Sequence, residues 1–282
     1  METVENFNKL SLIKRNEPLA LIPTMGNLHL GHLSLIRHAK ELNLSTIVSI
    51  FINPLQFGPS EDFSKYPRTL EADLDLLVKE DCDFVFIPDD KELLHDIKNL
   101  KAPLNNFLCG KSRPGHFDGV LTIVNRFIEV IKPEFCIFGQ KDFQQQLIIK
   151  EHLKKINSNT RLLTHPIVRD KNGLALSSRN GFLSKPRRKE AAKIYSYLKE
   201  ISEHIFNYDQ DEEKFLEYIK TLKDLYQKKY SEEGFEIDYL ELVNALSLES
   251  LKIEDKKILI AVAVNYAGVR LIDNICLTRS IS

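Results

Sequence analysis

The sequence predicts an α/β protein, a Rossmann-like doubly wound parallel sheet followed by a smaller C-terminal α+β domain. Three observations predict it. Apolar, β-branched runs alternate with helical patterns through about residue 180. Several of those runs are apolar throughout, as strands covered on both faces are. Beyond them the order changes to two long helical patterns followed by three strand-like segments.

The strands are expected at 19–24, 45–52, 83–87, 134–139 and 161–168, most of them β-branched or aromatic. Helical spacing of apolar residues fills the intervals at about 31–43, 68–80, 117–131 and 141–156. Ser177-Ser178-Arg179-Asn180-Gly181 is polar and turn-like, and Ser184-Lys185-Pro186 is a helix-start signal. The domain boundary is therefore expected near residue 180, giving domains 1–180 and 181–282. The second domain should hold helices at about 186–206 and 211–230 and strands at 236–243, 257–265 and 269–277. Asn265-Tyr266-Ala267-Gly268 would turn the last two into a hairpin. There is no internal repeat and no low-complexity segment.

A chain of 282 residues buries a sizeable core, and 43% hydrophobic with 28% charged residues is ordinary for a soluble protein. The net charge of −1 gives no global attraction to nucleic acid or to an anionic membrane, and neither is expected as a partner. The basic run Lys185-Pro186-Arg187-Arg188-Lys189 reads as a solvated helix start. Cys82, Cys109, Cys136 and Cys276 are scattered, without the spacing of a zinc site or a redox pair. Reduced thiols fit best. The N-terminus lacks the basic start and apolar core of a signal peptide, and no apolar run reaches membrane-spanning length. A soluble, cytoplasmic protein is expected.

The chemistry gathers at the ends of the predicted strands. Pro23-Thr24-Met25-Gly26-Asn27-Leu28-His29-Leu30-Gly31-His32 joins the first strand to the first helix. There an α/β protein sets backbone N–H groups and the positive end of a helix against phosphate. His29 and His32 are three apart and share one face of the first helical turn. Such a pair could hold charge that builds on a phosphate during transfer. It could also be half of a metal site, or two surface histidines around a turn glycine. Gln56 follows the second strand, where an amide suits a carboxylate with hydroxyls, although a surface glutamine in a loop reads equally well. Gly139-Gln140-Lys141-Asp142 follows the strand at 134–139; Lys141 would reinforce phosphate binding, and Asp142 there is either functional or a helix cap. Val168-Arg169-Asp170 ends the strand at 161–168. Ser177-Ser178-Arg179 offers hydroxyls and a guanidinium, for a polyphosphate or simply as a polar linker. Arg113-Pro114-Gly115-His116-Phe117 is an anion-facing turn or a tight loop. In an open parallel sheet the crevice lies outside the carboxyl ends of the strands, so these segments converge on one place.

Seven motifs in this order resemble one family. They are Pro23-Thr24-Met25-Gly26 with His29-x-Gly31-His32, Phe51-x-Asn53-Pro54-x-Gln56-Phe57, Tyr66-Pro67-Arg68-Thr69, Arg113-Pro114-Gly115-His116-Phe117, Phe138-Gly139-x-Lys141-Asp142-x-Gln144-Gln145, Gly173-Leu174-Ala175-x-Ser177-Ser178-Arg179-Asn180 and Arg270-Leu271-Ile272-Asp273-Asn274. Spread from about 19 to 275, they resemble the pantothenate synthetase (pantoate–β-alanine ligase) family, a branch of the H-x-G-H nucleotidyltransferase-like enzymes.

The resemblance implies a two-step reaction. The carboxylate of D-pantoate attacks the α-phosphate of ATP, giving pantoyl adenylate and pyrophosphate; the amine of β-alanine then displaces AMP. Mg²⁺ is implied with ATP, its protein ligands unknown, as is a homodimer. His32, His29 and Lys141 are the implied catalytic residues, His32 matching the family's proton donor. The ATP contacts would be Met25, Gly26, Asn27, Leu28, His29, Leu30, Gly31, His32, Gly139, Gln140, Lys141, Asp142, Val168, Leu176, Ser177, Ser178 and Arg179. Among these, Asp142 would face the ribose and Val168 the adenine, while Leu176 through Arg179 would close over the phosphates. Gln56 and Gln145 would hold pantoate, with Gln56 also near β-alanine. On this view 1–180 is the nucleotide- and pantoate-binding catalytic domain and 181–282 a lid. One departure stands out: the family commonly has Glu where this chain has Gln140.

Two rival classes are distinguishable. Another H-x-G-H adenylyltransferase, acting on a coenzyme precursor, would keep the adenylylated product; the glutamine pair and the second domain argue against it. A non-catalytic binding protein would not need His29, His32, Lys141 and Ser177–Arg179 together. An aminoacyl-tRNA synthetase is disfavoured by the near-zero charge and small second domain.

Overall fold

The computed structural model describes residues 1–59, 61, 63–208 and 212–279. In chain order its strands and α-helices are β1 (Glu2–Val4), α1 (Phe7–Ser11), β2 (Leu19–Thr24), α2 (Leu30–Glu41), β3 (Ser45–Ile50), α3 (Leu70–Lys79), β4 (Phe84–Phe86), α4 (Asp90–Leu94), α5 (Leu108–Ser112), α6 (His116–Ile131), β5 (Phe135–Gly139), α7 (Phe143–Lys155), β6 (Arg161–His165), α8 (Lys185–Ala191), α9 (Lys193–Phe206), α10 (Phe215–Glu232), β7 (Glu236–Asn244), β8 (Lys257–Tyr266) and β9 (Val269–Thr278). They form two compact units. The first is Met1–Asn105 with Arg113–Val168; the second is Asn106–Ser112 with Arg169–Ser282. Residue 180, where the sequence reading set its boundary, falls inside the second unit.

The first unit is a six-stranded parallel sheet in the order β1-β4-β3-β2-β5-β6. Successive strands step one way from β2 to β3 and β4, then the chain returns to the other side of β2 for β5 and β6. Right-handed crossovers put the connecting helices of the two halves on opposite faces, which makes the sheet doubly wound. β2 pairs with β3 over six residues but with β5 only at Ala20 and Leu21. Beyond those two rungs β2 and β5 have no ladder between them, and a crevice opens at their carboxyl ends. The strands are apolar on both faces: Leu19 through Ile22, Ile47, Val48, Val85, Phe86, Cys136 and Ile137 are all buried. α2 closes one side with Leu33, Leu35, Ile36 and Ala39.

Several ends differ from the sequence reading, each for a local reason. β3 stops at Ile50, because Asn53 caps a 3₁₀ turn over Pro54–Gln56 and draws the chain out of the ladder. β6 stops at His165, because Pro166 has no N–H to donate. The helix expected over 186–206 is two, meeting at Ala192, whose N–H bonds to Lys189 O three residues back and tightens the turn. The helix expected from 211 begins at Phe215 after a short 3₁₀ turn; residue 211 lies outside the described residues. β1, α1, α4 and α5 were not anticipated; each is three to five residues long, too short for periodicity to register.

The second unit is an antiparallel meander, β7-β8-β9, with α9 and α10 packed on it. α9 buries Ile194, Leu198, Ile201 and Ile205, and α10 buries Phe215, Ile219, Leu222, Tyr226 and Tyr230, at the three- and four-residue spacing of one helical face. Tyr230 keeps its hydroxyl satisfied inside this core by donating to Ile194 O at 2.8 Å. Among the described residues no helix is long and apolar enough to cross a membrane.

α6 and the 3₁₀ turn at 54–56 pack so closely that the contact point must be glycine. A Cβ at Gly119 would stand 2.1 Å from Leu55 O. Gly119→Ala must push the turn away, and should destabilise the protein by about 1–3 kcal/mol, the usual cost of overpacking. Urea unfolding of the variant checks this; an unchanged midpoint would contradict the packing.

Candidate active site

The turn after β2 is built on two left-handed residues, Gly26 (φ +76°) and Asn27 (φ +49°). Thr24 Oγ1 donates to Ser49 O at 2.7 Å, tying the turn to β3, and accepts the Gly26 N–H at 3.2 Å. The carboxylate of Asp73 on α3 takes the next two amides. Its Oδ2 accepts Asn27 N–H at 2.9 Å and its Oδ1 accepts Leu28 N–H at 2.7 Å. Of the backbone N–H groups of this turn, those of Asn27 and Leu28 are thus taken internally by Asp73. Leu28 itself is buried in the core, while Leu30 is exposed.

His29 and His32 cap α2 reciprocally. His29 Nδ1 accepts Gly31 N–H at 3.1 Å, and His32 Nδ1 accepts His29 N–H at 3.3 Å. Their rings stack with centroids 4.0 Å apart. An Nδ1 that accepts carries no proton, so each neutral ring holds its hydrogen on Nε2. Burial pushes His29 down to about 4, assisted by the Lys141 ammonium. Burial, then His29 and Lys141, push His32 well below the ordinary imidazole range. At neutral pH both are neutral donors through Nε2, held by the main chain at a helix start.

Gln56, after β3, is held from three sides. Asn53 Nδ2 donates to Gln56 Oε1 at 3.0 Å and to Gly119 O at 3.1 Å. Gln56 Nε2 lies 3.1 Å from Met25 Sδ, joining this segment to the turn after β2. His116 Nδ1 donates to Gln56 O at 2.8 Å, while its Nε2 accepts from Arg113 at 2.9 Å. That pattern fixes His116 as a neutral ring with its hydrogen on Nδ1; burial first, then the Arg113 guanidinium, push it down to about 4. Arg113 is held in turn by both oxygens of Glu61, at 2.6 and 2.7 Å, and its hydrogen bond holds the Glu61 carboxyl down near 2. The segment 113–117 is thus a structural brace for Gln56.

After β5 a 3₁₀ turn, Gln140–Asp142, carries Lys141 and Asp142, 3.6 Å apart as an ion pair. Both act electrostatically on His29, and Asp142 also on His116, so these groups share one crevice. Gly139 has an ordinary extended backbone (φ −77°), and a Cβ there would meet no protein atom within 4 Å. On α7, Gln144 donates to Leu104 O and Gln146 accepts from Thr164, while the half-buried Gln145 side chain has no hydrogen-bond partner among the described residues. Val168, the last residue of the first unit, is half-buried beyond the end of β6.

Within the second unit Ser177 Oγ caps a 3₁₀ turn at Ser178–Phe182 by accepting Arg179 N–H at 3.3 Å. Leu176, Ser177, Ser178 and Arg179 are all half-buried, and Asn180 pins the turn through Ala175 O at 3.0 Å. Among the described residues no group of three or more His, Cys, Asp or Glu side chains could hold a metal ion.

The sequence reading missed Asp73, Asn53 and the brace at His116. Asp73 left a signal: it lies four residues before Leu77 on the buried face of α3, an acid where an apolar residue belongs.

Comparison with known proteins follows the same lines. A model of the family described as Pantoate-beta-alanine ligase matches residues 1–276. The chain is 40% identical to the pantothenate synthetase of Thermosipho africanus over 281 residues, 97% of this chain and 98% of the relative. It is 42% identical to that of Acetivibrio thermocellus over 284 residues, 98% and 99% of the two chains. Among solved structures, pantothenate synthetase from Thermus thermophilus superposes with a TM-score of 0.85 at 34% identity, covering 98% of this chain and 99% of that one. The pantoate-beta-alanine ligase of Francisella tularensis, solved with beta-gamma ATP and beta-alanine, gives 0.76 at 34% identity, covering 98% and 97%.

The neutral histidines set a pH dependence. An unfolded imidazole titrates near 6.5, whereas His29 and His116 do so near 4 in the fold. Between these values the unfolded chain binds more protons, so their contribution is fully present above about 6.5 and is lost as pH falls toward 4. Ring ¹⁵N shifts in a pH titration should keep His29 and His116 neutral down to about 4. A midpoint near 6.5 for either would contradict the burial and bonding described.

Proposed function

The chain belongs to the pantoate-beta-alanine ligase family, and from that membership we propose which residues carry each step of its reaction. The enzyme condenses pantoate with β-alanine to pantothenate in an ATP-dependent amide synthesis. A carboxylate is a poor acyl donor, and adenylation gives it a good leaving group. One pantoate carboxylate oxygen bonds to the α-phosphorus of ATP as pyrophosphate departs. The β-alanine amine then adds to the activated carbonyl, loses a proton, and expels AMP with that oxygen.

The observation that carries the assignment is the stacked, neutral histidine pair beside Lys141. Two Nε2–H donors with no net charge and one cation suit a phosphate whose charge grows as pyrophosphate leaves. Each such preorganised donor is commonly worth about 10²–10³ in rate. His29, His32 and Lys141 are the catalytic residues of this reading, with His32 also giving its Nε2 proton toward the phosphate oxygens. Met25 through His32 border the nucleotide, chiefly through these two imidazoles. Gln140 and Lys141 line the phosphate side, Asp142 the ribose and Val168 the adenine. Gln56, oriented by Asn53 and His116, holds pantoate together with the unengaged amide of Gln145, and also lies near β-alanine. Leu176, Ser177, Ser178 and Arg179 close over the phosphates. No cysteine or serine nucleophile is needed.

Mg²⁺ belongs to this proposal as the companion of ATP. It usually keeps several waters and is held by substrate phosphates with one or two carboxylates. Asp142 faces the ribose on this reading and both oxygens of Asp73 are taken by amides, so the ion would be held chiefly by the ATP phosphates and water. The ion would offset charge on the departing pyrophosphate. We also carry over the homodimer and the cytoplasmic location from the family, the first open to light scattering on the purified enzyme.

Isotope transfer tests the adenylate route. With ¹⁸O in the pantoate carboxylate, one labelled oxygen is expected in AMP; unlabelled AMP would end the roles given to His29, His32 and Lys141.

Gly139 gives a second test. Neither its backbone angles nor its protein neighbours require glycine, which leaves close approach of a ligand as the reason for it. Gly139→Ala should leave the apoprotein as stable or up to about 1 kcal/mol more so, because the unfolded chain loses freedom. ATP affinity should fall about tenfold or more, equivalent to about 1.4 kcal/mol, in calorimetry. Wild-type affinity would remove Gly139 from the nucleotide site.

A further inference from the structure

We propose that Asp73 is a positioning residue for adenylate formation, acting through the turn that carries His29 and His32. Only 2% of its surface is exposed, so its carboxylate reaches no solvent and depends on its hydrogen bonds. It accepts three: Leu28 N–H at 2.7 Å on Oδ1, and Asn27 N–H at 2.9 Å and Thr69 Oγ1 at 3.1 Å on Oδ2. The turn is shaped around it. A Cβ at Gly26 would stand 3.0 Å from Asp73 Oδ2 and 3.3 Å from Ile50 Cγ2, so the carboxylate and the left-handed glycine fit only each other.

The next amide along the chain, His29 N–H, is the one that donates to His32 Nδ1. Fixing Asn27 and Leu28 therefore fixes the direction of that amide, and with it the His32 ring. His29, whose Nδ1 accepts Gly31 N–H, stacks on that ring at 4.0 Å. Asp73 thus specifies, at one remove, which nitrogen of each imidazole carries the hydrogen and where it points. It has a second effect. Two adjacent amides of a left-handed turn make an anion-binding concavity; Asp73 fills it with an internal carboxylate. A phosphate at this turn cannot use those two amides, which leaves the imidazole Nε2–H groups as its side-chain donors here.

This role of Asp73 rests on the reading of His29 and His32 as phosphate donors, which the isotope experiment tests on its own. The test of Asp73 needs no substrate for its first part. Asp73→Asn keeps the shape but replaces one acceptor with an NH₂ that faces a backbone N–H. In the ring ¹⁵N spectrum of the apoenzyme, His29 and His32 should lose the single Nε2–H tautomer pattern, while His116, fixed by Arg113 and Gln56, keeps its own. First-turnover pyrophosphate release should slow about 10–100-fold, the scale of a misplacement of about 1 Å. The KM for pantoate should stay within about twofold, because Asn53 and His116 hold Gln56 independently of Asp73 and only its Met25 contact lies on this turn. Wild-type histidine spectra in the folded variant would overturn the proposal whatever the rate; so would altered spectra with a wild-type rate, or a pantoate KM that rises as far as the rate falls. Where Asp73→Asn does not fold, Thr69→Val carries the test by removing one bond to Oδ2. Altered ring shifts with a rate about threefold to tenfold lower support the proposal; unchanged shifts or an unchanged rate overturn it.

Discussion

The site exists because β2 has parallel neighbours that lead away from it in opposite directions. Right-handed crossovers allow the chain to wind outward from β2 through β3 and β4, then to restart on its other side with β5. The loops after β2 and β5 must then diverge. Their ladder lasts only two residues, Ala20 and Leu21 opposite Phe135 and Cys136. Both loops change to helical turns at the mouth of that gap, which brings His29 and His32 from one side toward Lys141 and Asp142 from the other.

Burial sets the electrostatics of this gap. It relies on neutral donors more than on positive charge. Three histidines are held neutral by burial, and each has its hydrogen placed by a main-chain or guanidinium partner. Neutral imidazoles cost less to bury than imidazolium ions and donate without needing a counter-ion when the ligand is absent. Arg113, a second cation of this neighbourhood, is neutralised by Glu61 and serves to hold His116.

The second unit holds its own polar loop in a similar way. Arg169 forms a two-pronged ion pair with the buried Asp273, at 2.5 and 2.9 Å, and lies 3.5 Å over the Tyr195 ring. The same guanidinium donates to Gly173 O. Asp273 also accepts the Asn274 amide. This network fixes both ends of the segment that leads to Ser177–Arg179, since Arg169 bridges to Ala175 as an isolated β-contact. A buried pair of this kind adds little net stability but leaves an uncompensated charge if either partner is lost, so it enforces one arrangement of the loop.

The sequence by itself determined the fold class, five of the six strands of the parallel sheet with the longer helices between them, and the motifs that identify the family. Apolar runs such as 19–24 and 45–50 are legible because a strand buried on both faces can hold little else. His29, His32, Gln56 and Lys141 stood out because their place after a strand has a chemical meaning, whereas Gln145 was reached only through the resemblance. Tertiary structure alone decided how those residues are held. That Asp73 and not a phosphate takes the amides of Asn27 and Leu28, that Asn53 is anchored on Gly119 O, that His116 and Met25 hold Gln56, and that Arg113 is a brace all depend on contacts between segments 31 to 66 residues apart. Local pattern carries periodicity and turn chemistry over a few residues. The partner of a buried carboxylate or amide is chosen by whichever chain segment the sheet brings alongside, and no pattern local to Asp73 or Asn53 states which segment that is.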